Sequence, residues 1–344
     1  MSGAEVIQIL AKGRQDNDVT GRSEITWFRS MYKKPTHHAM VPAELQFAGV
    51  VDFGRKPHCV IDRSADLVGP MTLKATLPAI TADGLGAGLS WVNEVGHKLV
   101  DKVTLKVGSA VVDEHTGLWL SLWSKMSLPA GKVAGYNNMI GNVSALTGAF
   151  PAFAAAAGAT IPETTIHVPM QFTFNRESGA YLPLIALPRS QVRLEFEFSP
   201  LNELIRGDID SGSYSIQSAV VVVEYVHLEE PERAAIVARP NRMLFEQVQE
   251  AGQEFVSGTV HTIKPDLAHP TKLLAWVLRR SDNQDPSANT NMDWFNFTDA
   301  TGSTGDDPLV NASISFSNKK RVEEISADYF RDYQAYYFHE NSGN

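Results

Sequence analysis

With 344 residues, 43% of them hydrophobic and 20% charged, the chain has an ordinary globular composition and enough length for about two domains, each with its own core. A net charge of −9 argues against a protein whose main work is gripping nucleic acid, which needs clustered Lys and Arg. A single cysteine, Cys59, excludes any internal disulfide.

The first 18 residues lack the apolar core and small-residue cleavage site of a secretory leader, so a reducing compartment such as the cytosol is expected. From there the dominant period is two. A strand-like CVIDR (59–63) precedes MTLKATL (71–77), which places Met71, Leu73, Ala75 and Leu77 on one face. In KVTLKVG (102–108), Val103, Leu105 and Val107 point inward, with Thr104 and the lysines opposite. IHVPMQFTF (166–174) continues the alternation, and VRLEFEF (192–198) shows it most cleanly. AVVVVEYVHL (219–228) is a β-branched run expected for a strand covered on both faces. Helical spacing is confined to GLWLSLWSKM (117–126) and EEPERAAIVARP (229–240), and the second marks a domain boundary near residues 229–241. Further strands are predicted at 244–250, 256–263, 271–280 and 311–318. The Ala- and Gly-rich tract 145–162 is cut by Pro151, falls short of a membrane span and reads as a surface loop. The expected class is all-β, a sandwich or jelly roll with long connections.

Chemistry-bearing residues form no recognisable site. GLGAG (84–88) lacks the spacing and strand–turn–helix setting of a dinucleotide fingerprint. His58, Ser64 and Asp66 are the residue types of a hydrolase triad, but they flank a strand whose alternation already accounts for them, and framework roles for His58, Arg63 and Asp66 are favoured. His37 and His38 are adjacent and would point to opposite faces of a strand, and DIDSG (208–212) is too short for a calcium loop. The aromatic tail 328–340 lacks basic interleaving and reads as packing. The sequons at Asn142, Asn296 and Asn311 carry little weight without a secretory signal. No catalytic, cofactor-binding or metal-ligating residue is predicted, and a binding or structural protein is favoured over an enzyme.

Several ordered motifs carry a resemblance. Thr20, Gly21, Ile25, Thr26, Phe28, Tyr32 and Thr36 stand in a first signature, with Trp27 for Phe and Lys33-Lys34 for the usual arginines. Gly54, Lys56, Ile61, Arg63, Asp66 and Leu67 form a second, with Ala65 where glycine is usual. Asn93, Gly96, His97, Gly108, Asp113, His115, Gly117 and Trp119 form the most specific, and LPLIAL (182–187) matches letter for letter. EYVHLEEPERAAI (224–236) and FEQVQE (245–250) match an interdomain passage. The chain thus resembles the major capsid proteins of nucleocytoplasmic large DNA viruses, the group that includes iridoviruses and phycodnaviruses.

The resemblance implies a double jelly roll of two consecutive eight-stranded units: an N-terminal arm 1–18, a first jelly roll 19–228, a linker 229–241 and a second jelly roll 242–344. Homotrimers of pseudo-hexagonal outline would tile an icosahedral shell, with minor capsid proteins and an inner membrane beneath and no sequence-specific nucleic-acid contact. The arm would face inward, toward those minor proteins or the membrane. Loops at 80–90, 130–165 and 281–310 would form outward towers and trimer contacts. The expected location is the virion capsid, made and assembled in the host cytoplasm. The family's closing strands would begin where HENSGN ends the chain, so the second jelly roll is expected to be incomplete. Alternatives are a minor or penton-type capsid protein, or a carbohydrate-binding or cupin-like jelly roll.

Overall fold

A computed structural model describes residues 37–83, 88–148, 160–238 and 243–341, apart from 257, 266, 268, 287–291, 301–304 and 317–318. The arm 1–18, the first signature through Thr36, most of GLGAG and the centre of the 145–162 tract lie outside the described residues.

Antiparallel strands dominate. In chain order they are β1 His38–Ala48, β2 His58–Ile61, β3 Leu67–Leu77, β4 Ile80–Thr81, β5 Ser90–Trp91, β6 Val100–Val107 and β7 Ala110–Thr116. Then come β8 Thr160–Ile161, β9 Thr164–Pro169, β10 Leu182–Pro183, β11 Val192–Phe198, β12 Ile205–Arg206, β13 Ser218–Leu228, β14 Asn311–Phe316 and β15 Lys319–Ser326. The helices are α1 Val95–Leu99, α2 Gly117–Ser127, α3 Val133–Met139, α4 Ser144–Thr147, α5 Thr173–Arg176, α6 Glu230–Ala238 and α7 Gln334–Phe338.

β1 forms the corner. Its residues His38–Gln46 pair with β13, while Phe47 and Ala48 turn onto β2. One half of the sheet runs β10–β3–β13–β1, with β9 also on β3, and the other runs β2–β11–β6–β7. A strand that bends from one sheet into another closes the corner of a sandwich. Met71, Leu73, Val221 and Val223 from one half join Cys59, Leu194, Phe196 and Leu105 from the other in a single buried cluster. Phe47 stands edge-on to Phe196 at 5.3 Å between ring centroids, locking the corner strand to that core.

Alternation explains most of this. β11 buries Val192, Leu194, Phe196 and Phe198 and leaves Arg193, Glu195 and Glu197 half-buried on the outer face. There Lys106 reaches Glu195 at 2.6 Å and Lys102 reaches Glu114 at 2.5 Å in cross-strand pairs, and Lys56 from the loop before β2 reaches Glu197 at 2.8 Å. Thr104, expected to face out, is buried under that lattice and donates to Glu114.

Four expectations need correction. β13 is not covered on both faces: Ala219, Val221, Val223 and Tyr225 are buried, while Val220 and Val222 remain half-exposed. The stretch 166–174 is not one strand, because pairing with β3 stops at Pro169. The Met170 amide still donates to the Met71 carbonyl at 2.9 Å, and beyond it the Asn175 side-chain amide donates to the carbonyls of both Met71 and Met170, where the chain turns into α5. Residues 244–250, 256–263 and 271–280 form no strand among the described residues. Leu244, Phe255 and Val260 are 83–88% exposed, and an alternating run becomes a strand only where a neighbour completes its ladder. The tail 328–340 is only partly packed: Tyr329 and Tyr333 stack at 5.2 Å, yet Tyr336, Tyr337 and Phe338 face solvent. The strand expected at 311–318 is found as Asn311–Phe316, and its partner β15 is a strand the pattern had not suggested.

Candidate functional site

The residues 54–78 form a turn, β2, a second turn and β3. Gly54 turns the chain at φ 67°, and Cys59 is buried in β2, where burial pushes its thiol up to about 11. His58, Ser64 and Asp66 do not converge as a triad. His58 pairs across β2 with Glu195 and Ala48, whereas Asp66 turns to the chain leaving β13. Its Oδ2 accepts from the Leu228 amide at 2.8 Å, and Arg233 of α6 bonds both its oxygens at 2.9 and 3.0 Å. Burial works against the charge, yet Arg233 and the Leu228 amide hold the Asp66 carboxyl below the usual range. Arg63 donates to the Ser190 carbonyl at 2.7 Å. His37 and His38 are exposed, and Asp210 of DIDSG accepts from Gly212 and Tyr214 in a turn. Among the described residues, no cluster of three or more His, Cys, Asp or Glu side chains is arranged to hold a metal, and no helix is long and apolar enough to cross a membrane.

What the third motif builds instead is a polar seam between the first 228 residues and the chain beyond them. Gly108, at φ 64°, makes the two-residue turn between β6 and β7. Gly117 starts α2 so close to α1 that a Cβ would sit 2.3 Å from the His97 carbonyl oxygen. That closeness buries His97 completely, with Nδ1 2.8 Å from Glu94 and Nε2 2.8 Å from the Tyr136 hydroxyl. Glu94 also meets Lys125 at 3.0 Å. Burial opposes its charge, but His97, Lys125 and Ser121 together draw its carboxyl down to about 2. Burial likewise pushes the Tyr136 phenol up.

Later residues dock on these groups. Asn93 donates to Asp293 at 2.9 Å, the Trp294 indole donates to the Glu203 carbonyl at 2.8 Å, and Lys98 lies 3.7 Å above the Trp294 ring. Phe295 stands edge-on to His97 at 6.2 Å. Met292 and Phe295 are therefore buried, and this part of 281–310 is not the outward loop expected of it. On the other flank, Asp113 lies 2.8 Å from His115 and accepts from the Val248 amide at 2.9 Å, while His115 stacks on Phe172 at 4.6 Å. Thr173 and Glu246 exchange two hydrogen bonds, and Arg176 pairs with Glu246 at 2.9 Å while lying 3.9 Å above Trp123. The segment read as strand 244–250 is held by these side chains in place of a ladder. Arg206, buried between the carbonyls of Trp91 and Thr147, belongs to the same seam and carried no sequence signal of its own.

Comparison with known proteins agrees with this architecture. Residues 26–229 match the family described as "Major capsid protein N-terminus", and residues 232–343 match "Large eukaryotic DNA virus major capsid protein". The chain is 32% identical to the major capsid protein of Phaeocystis pouchetii virus, over 94% of this chain and 68% of that protein. It is 30% identical to that of Chrysochromulina ericina virus, over 82% of this chain and 58% of that protein. Identity to the major capsid protein of Invertebrate iridescent virus 6 is 26%, over 90% and 73%. Among solved structures, a chain of the PBCV-1 virus capsid superposes with a TM-score of 0.71 at 22% identity, covering 90% of this chain and 76% of that one. The described strands thus build the jelly-roll capsid fold, and the chain belongs to the major capsid protein family of large eukaryotic DNA viruses.

Proposed function

We propose that this chain is a shell-building subunit with two consecutive jelly rolls, three copies of which associate as a pseudo-hexagonal capsomer that tiles an icosahedral shell. Its division is an arm 1–18, a first jelly roll 19–228, a linker 229–241 and a second jelly roll 242–344. The observation that carries this reading is that two capsid-protein families match in tandem, 26–229 and then 232–343, on either side of the turn into α6. Six similar rolls around a threefold axis approximate a hexagon, and a closed threefold ring satisfies the heterologous contact each copy offers the next. The role is structural, the chain works in the virion capsid after assembly in the host cytoplasm, and minor capsid proteins and an inner membrane lie beneath. Electron micrographs of the purified oligomer test the arrangement. Class averages with threefold symmetry and a six-sided outline support it, whereas monomers or twofold particles contradict it.

A further inference from the structure

Residues 247–250 run beside β7 without joining its ladder. Gln247 Nε2 donates to the Val112 carbonyl at 2.6 Å, the Val248 amide donates to Asp113 Oδ1 at 2.9 Å, and the Thr116 hydroxyl donates to Glu250. The sequence offsets are 135, 135 and 134 residues, so the segment follows β7 in parallel at a nearly constant register. Each of these contacts uses at least one side chain, and residues 243–256 form no strand. β7 is the last strand of its half of the sheet among the described residues.

The clasp falls on the groups that an added strand would need. One residue of a parallel neighbour bonds the carbonyl of an edge residue and the amide two positions further along. On β7 the Val112 carbonyl is taken by Gln247, and the Glu114 amide donates to Asp113 Oδ1 at 2.9 Å, the same oxygen that accepts from Val248. Glu246 turns away from β7 to Thr173 and Arg176, which anchors the segment at its start. Only Ala110 and Val111 at the beginning of β7 stay exposed, too short a run for a strand to pair with.

We propose that residues 247–250 are an edge guard, which ends this sheet and keeps an extended strand of another copy of the chain off β7. A backbone-paired strand in the same place would only move the open edge outward. Side-chain contacts stop the ladder instead.

Gln247→Ala combined with Glu250→Ala tests this in the intact chain, because both side chains are exposed and the core is left alone. In the double variant the Glu114 and Val248 amides exchange hydrogen about tenfold faster than in the wild type, while those of β11 are unchanged. Light scattering then shows species heavier than any the wild type forms at the same concentration. Adding Val111→Lys, a charge at the exposed start of β7, removes them. Unchanged exchange, faster exchange with wild-type masses, or heavy species that persist with Val111→Lys each overturn the proposal.

Discussion

Arg233 embraces Asp66 across 167 residues of sequence, with nitrogens 2.9 and 3.0 Å from its two carboxylate oxygens. The contact joins the start of β3 to α6, the helix that follows β13, and Asp66 also caps the Leu228 amide at the end of β13. One carboxylate therefore ties the start of β3 to the end of β13 and sets the direction in which the chain leaves β13.

Asp66→Ala deprives the Leu228 amide of its acceptor, which costs about 1 kcal/mol. Because the folded protein lowers this carboxyl, its contribution is present above the ordinary carboxyl range and is lost as pH falls through the lowered value. Urea midpoints should show the variant less stable than wild type at pH 7, with the difference narrowing toward pH 3. Equal midpoints at pH 7 contradict the role assigned to Asp66.

Phe196 is fully buried and meets Phe47 edge-on where β1 turns between sheet halves. Phe196→Ala removes a large core side chain and should cost about 3–5 kcal/mol in equilibrium unfolding. Val222→Thr, on the half-exposed face of β13, should change stability by less than about 0.5 kcal/mol.

Sheet geometry was legible in the sequence wherever one face meets the core and the other meets water. β11, and β3 from Pro70 onward, alternate residue by residue, and their burial follows. The valines of β13 misled, because β-branched residues suit a central strand whether one face or both are covered. The strands expected at 244–280 were misread for a different reason: periodicity shows that a segment can pair, but not that a partner lies beside it. The seam was hidden to the same degree. Asn93 and Asp293 are 200 residues apart, and Asp113 and Val248 are 135 apart, so no local pattern links them. Family motifs singled out Asn93, His97, Asp113 and His115, yet nothing in their spacing said that they hold the later chain in place.

Glu94→Gln tests the seam from its charged side. The amide cannot neutralise Lys125 or match the carboxylate's bond to His97, and a charge-assisted hydrogen bond is worth about 1.5–3 kcal/mol. Denaturant unfolding at pH 7 should report a loss in that range. A neutral result shows that the carboxylate is not needed.

Gly117→Ala forces a methyl against the His97 carbonyl where α1 and α2 touch. Overpacking of this kind costs about 1–3 kcal/mol, and Trp119 and Trp123 on the same helix supply a fluorescence signal for the lowered Tm. An unchanged Tm shows that the two helices part without cost.

The central claim concerns assembly, and the mass of the purified chain by light scattering after size exclusion tests it most directly. Three times the 37.7 kDa of one chain is the value predicted for a capsomer. A single species that stays at 37.7 kDa at every accessible concentration contradicts it.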